Sequence, residues 1–177
     1  MKEVEITTPL TAGIIEEIVP GCIVKITGTL YTARDATHQR LIDDFKKKKK
    51  LPFEMKNQII YYAGPAPAPG GRLIGSCGPT TAIRMEPYLN FILSKGIKAV
   101  IGKGPLNKSF VDTLKKYNAV YLLATGGAGA YLAKFIKNIE IIAYKDLGPQ
   151  AIYKLDVENF PCIAAAVKDS YILKSYG

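Results

Sequence analysis

The 177-residue sequence has no tryptophan, one histidine and only three cysteines. Cys22, Cys77 and Cys162 are odd in number and widely spaced, so no disulfide framework is expected. No C-x-x-C pair signals a redox or zinc site. Three cysteines suffice in principle for an iron–sulfur cluster if the fold gathers them. Cysteine is more often a small buried apolar residue, and that is the role expected here. With His38 as the sole histidine, neither a metal-ligand cluster nor a Ser-His-Asp arrangement is visible. No apolar run approaches the ~18 residues that a membrane-spanning helix needs. The opening segment carries Glu3 and Glu5 and lacks an apolar signal core. On this reading a secretory signal is excluded and the cytoplasm is the expected compartment.

What is present is ordinary globular composition, with 48% hydrophobic and 22% charged residues. The length suits one domain over residues 1–177. The net charge of +9 gives a positive surface potential, for which nucleic acid, acidic protein and small anions are the candidate partners. Lys46 to Lys50 form an unbroken lysine run behind Asp43 and Asp44. Lysines favour the negative pole at a helix C-terminus. No aromatic residue interleaves them and no nucleic-acid motif accompanies them. A solvated helix end is the expectation, and nucleic acid is not an expected partner.

Glu3 to Thr7 reads as a strand, and so does the β-branched run Cys22 to Tyr31. Thr32 reads as the N-cap of a helix running from about Ala33 through Phe45, with Asp35 as its acidic capping partner. Asn57 to Tyr62 is a third strand. It ends in a Pro/Gly-rich stretch, residues 63–71, that cannot be helical. Gly75 to Thr81 leads into a helix stopped by Gly96, with Pro79 in its first turn and Pro87 kinking or restarting it. Ile97–Ile101 and Ala119–Ala124 read as buried strands either side of a helix capped by Asn107. Ile139–Tyr144 reads as a third buried strand, and Ile152–Val157 and Ile163–Val167 as two further strands. Short apolar strands alternating with helices indicate parallel β-α-β units. The fold class expected is α/β: a partly parallel sheet, helices and an added β layer.

In open α/β sheets, ligands bind outside the carboxyl ends of strands. Arg34 follows the second strand, and Lys103 lies between Gly102 and Gly104 after Ile97–Ile101. Thr80 and Thr81 open a helix, with Arg84 one turn beyond Thr80. Arginine grips carboxylates bidentately and lysine adds a compact charge. A shared site for a dicarboxylate or phosphate is one reading. Local surface pairs, Arg34 with Asp35 and Arg84 with Glu86, are the other. Gly126 to Gly129 invites a stand-alone nucleotide- or phosphate-binding module, but the third position of the dinucleotide fingerprint is Leu132. Lys103 is followed by Gly104, so no Walker A loop is present.

Five stretches then carry a resemblance: T-L-Y-T-A-R-D-A-T-H from Thr29 to His38, Y-A-G-P from Tyr62, G-S-C-G-P-T-T from Gly75 with Arg84-Met85, Gly102-Lys103-Gly104, and Asn159-Phe160-Pro161. In this order the sequence resembles the β subunit, or C-terminal domain, of class I iron–sulfur fumarases and the related tartrate dehydratases. The resemblance implies a swivelling β/β/α domain and a hydro-lyase that reversibly hydrates fumarate to malate. It implies that Arg34, Arg84 and Lys103 bind substrate carboxylates and that Thr80 is the catalytic base. It implies a [4Fe-4S] cluster in a partner α subunit, no cofactor or metal on this chain, and a hetero-oligomer sharing one active site. Fumarate, tartrate and other dicarboxylates stay open as substrates.

Overall fold

The structure is a computed structural model and describes residues 2–173. Among these residues, eight strands form one sheet. Strand β1 (Glu3–Thr7) is followed by the short helix α1 (Ala12–Glu17), then β2 (Ile23–Thr32), helix α2 (Asp35–Lys46) and β3 (Ile59–Tyr61). A 3-10 turn (Ala82–Met85) leads into α3 (Glu86–Ser94). Strand β4 (Ala99–Gly102), helix α4 (Lys108–Lys116), strand β5 (Val120–Leu123) and helix α5 (Gly129–Leu132) follow. The chain closes with β6 (Ile136–Ala143), β7 (Ile152–Val167) and β8 (Ser170–Tyr171).

Strands β1 to β5 run parallel wherever they pair, as the alternation of apolar runs with helices requires. Strand β7 then pairs antiparallel with β5 on one side and with β2 on the other. That double pairing closes β2, β3, β4, β5 and β7 into a five-stranded, barrel-like ring. So narrow a ring holds only side chains, which dictates two cores. Ile59, Tyr61, Ile101, Leu122, Leu155 and Phe160 belong to the inner one. The outer core joins the alternate residues Ile60, Tyr62, Val100 and Tyr121 to Leu41 of α2, Leu89 and Ile92 of α3, and Phe110 of α4. Strands buried on both faces are therefore continuously apolar, as β3 and β4 are.

Several expectations need correction. Thr32 does not cap α2; it is the last residue of β2, and its buried hydroxyl donates to the Ala151 carbonyl and accepts from the Tyr153 N–H at 3.0 Å. Arg34 stands at the N-cap, and since arginine has no acceptor, Gln150 serves instead. The Gln150 side-chain oxygen accepts from the Ala36 N–H at 3.0 Å, and its backbone carbonyl accepts from the Thr37 hydroxyl. Pro79 is not in a helix but bridges to Ala63 in strand fashion, and it is Pro87 that sits in the first turn of α3. Ile139–Tyr144 is not a buried parallel strand. Its residues up to Ala143 belong to β6, which among the described residues pairs only with β7 and leaves most of its residues at least partly exposed, while Tyr144 lies beyond the strand at a φ of 56°. The last two expected strands are one, β7. The register shifts opposite Ile26 and Gly28, where Asn159 takes a φ of 53° and its N–H donates to the Thr27 hydroxyl oxygen. A bulge keeps such a strand continuous where its sequence reads as a break. Helix α1, capped by the Thr11 hydroxyl, was not anticipated.

Candidate active site

All four sequence-predicted residues lie at the carboxyl ends of the parallel strands. Arg34 follows β2, and Lys103 follows β4 directly. Thr80 is stitched between their neighbours: its N–H donates to the Tyr62 carbonyl at 2.6 Å and its carbonyl accepts from the Lys103 N–H at 3.0 Å. The Lys103 carbonyl in turn accepts from the Ala82 N–H at 2.9 Å. This strand-like lacing holds residues 79–82 across the ends of β3 and β4, so Thr80 and Arg84 are not one α-helical turn apart as expected. Thr80 is extended and Arg84 lies on the 3-10 turn.

Arg84 reaches across to the start of α2. Arg84 Nη2 donates to Asp35 Oδ2 at 3.0 Å, and Asp35 is the residue next to Arg34. The local pairs read from sequence therefore do not form. Arg84 crosses to α2, and Glu86 accepts instead from the Asn107 amide at 2.7 Å. Arg34 folds over Gly64, where an added Cβ would lie 3.2 Å from Arg34 Nη1 and 2.8 Å from the Pro149 carbonyl. Only glycine leaves the guanidinium this path. Lys103 lies over Gly126 in the same manner, its Cδ 3.2 Å from where a Cβ would stand.

The glycines divide by role. Gly102 is not open to a ligand; its Cβ would meet the Cβ of Ala82 at 2.9 Å and the Tyr62 ring at 3.1 Å. Gly129 packs on the loop before Thr80, with a Cβ position that would overlap Ser76 Oγ and lie 2.8 Å from the Gly78 nitrogen. Its carbonyl accepts from the Cys77 N–H at 3.1 Å. Gly129 is thus a packing contact, whereas Gly127 serves the turn at a φ of 78° with nothing within 4 Å of a Cβ, and the four-residue α5 is no dinucleotide-binding helix.

Behind the cations sits His38, wholly buried, its Nδ1–H donating to the Arg34 carbonyl at 2.8 Å. Its ring stacks on Tyr88 and meets Tyr62 edge-on. Burial lowers its pKa to about 4, the Arg34 carbonyl and Asp35 opposing this only in part, so the ring is neutral near pH 7. Arg34 Nε, His38 Nε2 and the Tyr62 hydroxyl are buried without a hydrogen-bond partner. Neither His38 nor Gln150 stands among the residues that strand-end placement picks out, and Asp35 reads there as a local partner. Nothing in the sequence links residue 150 to residue 36.

The three cysteines are buried and free. Burial pushes the Cys77 thiol up to about 12 and raises that of Cys162. Thiols held protonated are poor iron ligands, and among the described residues no group of three His, Cys, Asp or Glu could hold a metal ion. The residues of this chain do not fit an iron–sulfur cluster. Lys46 ends α2 and Lys49 pairs with Asp44 at 3.0 Å, which is the solvated helix end expected. Among the described residues no helix is long and apolar enough to cross a membrane. A cavity of about 460 Å³ is lined by Pro65, Leu73, Ile141 and Pro149 among others, with no charged residue in its lining.

Comparison with known proteins bears on most of the chain. It is 42% identical over 140 residues to fumarate hydratase 1, mitochondrial, of Leishmania major, covering 78% of this chain and 26% of that protein. It is 39% identical over 162 residues to a putative L(+)-tartrate dehydratase subunit beta of Methanocaldococcus jannaschii, covering 88% and 83%. A putative fumarate hydratase class I of Geobacillus stearothermophilus is 37% identical over 167 residues, covering 92% and 32%. The chain thus spans about a quarter to a third of the length of these fumarate hydratases and most of the dehydratase subunit. The family model described as fumarase C-terminus matches residues 1–170, and the chain belongs to that family.

Proposed function

We propose that residues 1–177 form the swivelling β/β/α domain of a cytoplasmic hydro-lyase β subunit, which interconverts fumarate and malate with a partner α subunit. The observation that carries this is the rim itself. Three cationic side chains and a threonine hydroxyl from separate elements border the carboxyl ends of β2, β3 and β4. A twice-charged acid is the guest whose charge such a rim complements. A separate α subunit, with a [4Fe-4S] cluster, is proposed because burial holds the Cys77 and Cys162 thiols protonated and the Methanocaldococcus relative is named as a subunit.

In this reading Arg34 and Arg84 hold the carboxylates by forked hydrogen bonds, and Lys103 adds a point charge beside Thr80. Proton removal next to a carboxylate builds negative charge on that carboxylate, which fixed cations stabilise more in the transition state than in the ground state. Thr80 Oγ is the proposed proton acceptor in the dehydration direction and donor in hydration. Its hydroxyl is a poor base in water, so it needs a cation brought close to it in the assembled site to favour its ionised form.

The test is turnover by this chain purified anoxically with its α subunit. Arg84→Ala should lower kcat/KM at least ~100-fold, the scale expected for losing a charged hydrogen bond to the transition state, while leaving the melting temperature nearly unchanged. Unaltered turnover removes Arg84 from the site. Substantial hydration of fumarate by the lone chain removes the shared site.

A further inference from the structure

We infer that Asp35 is a positioning residue for Arg84: its carboxylate fixes the direction from which that guanidinium meets a substrate carboxylate. The inference deepens the proposed function and rests on it.

Arg84 rises from a single 3-10 turn, and its side chain is 53% exposed. A long side chain in that setting has many rotamers to choose among. Among the described residues its ion-pair partner is Asp35, 3.0 Å away. Asp35 itself has a fixed origin. It is the first residue of α2, and the next two residues are pinned to Gln150 through the Ala36 N–H and the Thr37 hydroxyl. The contact therefore joins an anchored carboxylate to a half-exposed cation. An ion pair this exposed adds little to folding stability, so its main effect is on geometry. Asp35 engages one terminal nitrogen of a five-donor fork, and the remaining donors are left for a guest arriving beside Arg34.

The charge of Asp35 makes the inference decidable. As a mere neighbouring charge, Asp35 repels a dianion, so removing it would tighten substrate binding. As an orienting group, it helps binding, so removing it would weaken it. The two roles predict opposite signs.

The experiment compares steady-state kinetics with fumarate for the assembled two-subunit enzyme carrying Asp35→Asn, Asp35→Glu, Arg84→Ala, Arg84→Lys and the Asp35→Asn/Arg84→Lys pair. The expected result is a rise in KM of about tenfold for D35N, a modest part of the ~100-fold that small misplacements can cost, with the melting temperature nearly unchanged. D35E, which keeps the carboxylate within reach, should recover most of the loss. In the R84K background D35N should add little, because Asp35 acts through the lost fork. A KM for D35N that is unchanged or lower overturns the inference, as does an equal D35N loss in both backgrounds. Should R84K and R84A both leave the kinetics unaltered, the site reading falls and this inference with it. An impaired R84A beside a normal D35N overturns this inference alone.

Discussion

Acid should weaken this fold through His38. In the folded chain the ring is fully buried among Tyr62, Tyr88 and the backbone of Arg34, and its pKa is lowered from 6.5 to about 4. An unfolded chain binds the proton at the ordinary pKa. Between these values the unfolded state therefore holds more protons than the folded one, and stability rises with pH across that window. The contribution is fully present above about pH 6.5 and is lost as pH falls towards 4. At about 1.4 kcal/mol per pH unit, the gap amounts to roughly 3 kcal/mol, a large part of the 5–15 kcal/mol of a typical domain. Carboxylates titrate in the same range, so the measurement is a difference. Urea unfolding free energies are taken from pH 4 to 8 for the wild type and for His38→Asn, whose amide keeps a donor toward the Arg34 carbonyl. The variant should start less stable, because a smaller side chain leaves space, but should lose roughly 3 kcal/mol less on acidification. Parallel pH profiles would show that His38 protonates as easily in the fold as outside it, and the burial argument would be refuted.

Gly64→Ala places a methyl 2.8 Å from the Pro149 carbonyl and 3.2 Å from Arg34 Nη1; it should cost about 1–3 kcal/mol of stability and more than tenfold in kcat/KM, checked by thermal melting beside the two-subunit assay. Thr32→Val removes a buried hydroxyl that serves both Ala151 and Tyr153, so a loss of about 1–3 kcal/mol in chemical denaturation is expected. The native chain should resist a thiol-specific disulfide reagent until denatured, since all three cysteines are buried; prompt reaction of any one would contradict that placement. Gly129→Ala drives a Cβ into Ser76 and Gly78, and its melting temperature should fall by several degrees, whereas the exposed Gly70→Ala, with nothing within 4 Å, should leave it unchanged.

The stretch from α3 to β5 was legible because β4 and β5 are short and apolar and the helices before and between them carry recognisable punctuation. Asn107 caps α4 through the Phe110 N–H, and Gly96 turns out of α3 at a φ of 99°. The antiparallel half was not. Asn159-Phe160-Pro161 looks like a break, and only pairing with β2 reveals a bulge. Thr32 has the chemistry of a cap, yet tertiary pairing carries β2 one residue past Tyr31. The site shows the same division. Arg34, Thr80, Arg84 and Lys103 were reached from residue types at strand ends and from family resemblance. Their supports, Gln150, Gly64 and the cross-pairing of Asp35, depend on contacts between distant segments, which local patterns do not encode.

The ring is sealed by its last long strand, and this has a consequence for biosynthesis. Thr29 on β2 finds Asp156 on β7 only 127 residues later, and the same strand covers the free edge of β5. Until β7 has left the ribosome, the nascent chain carries two open edges flanking a nearly finished parallel sheet, a natural substrate for chaperones and for edge-to-edge aggregation. Contacts of such long sequence separation make for slow folding. A stop codon before residue 152 would therefore yield insoluble product rather than a smaller working domain.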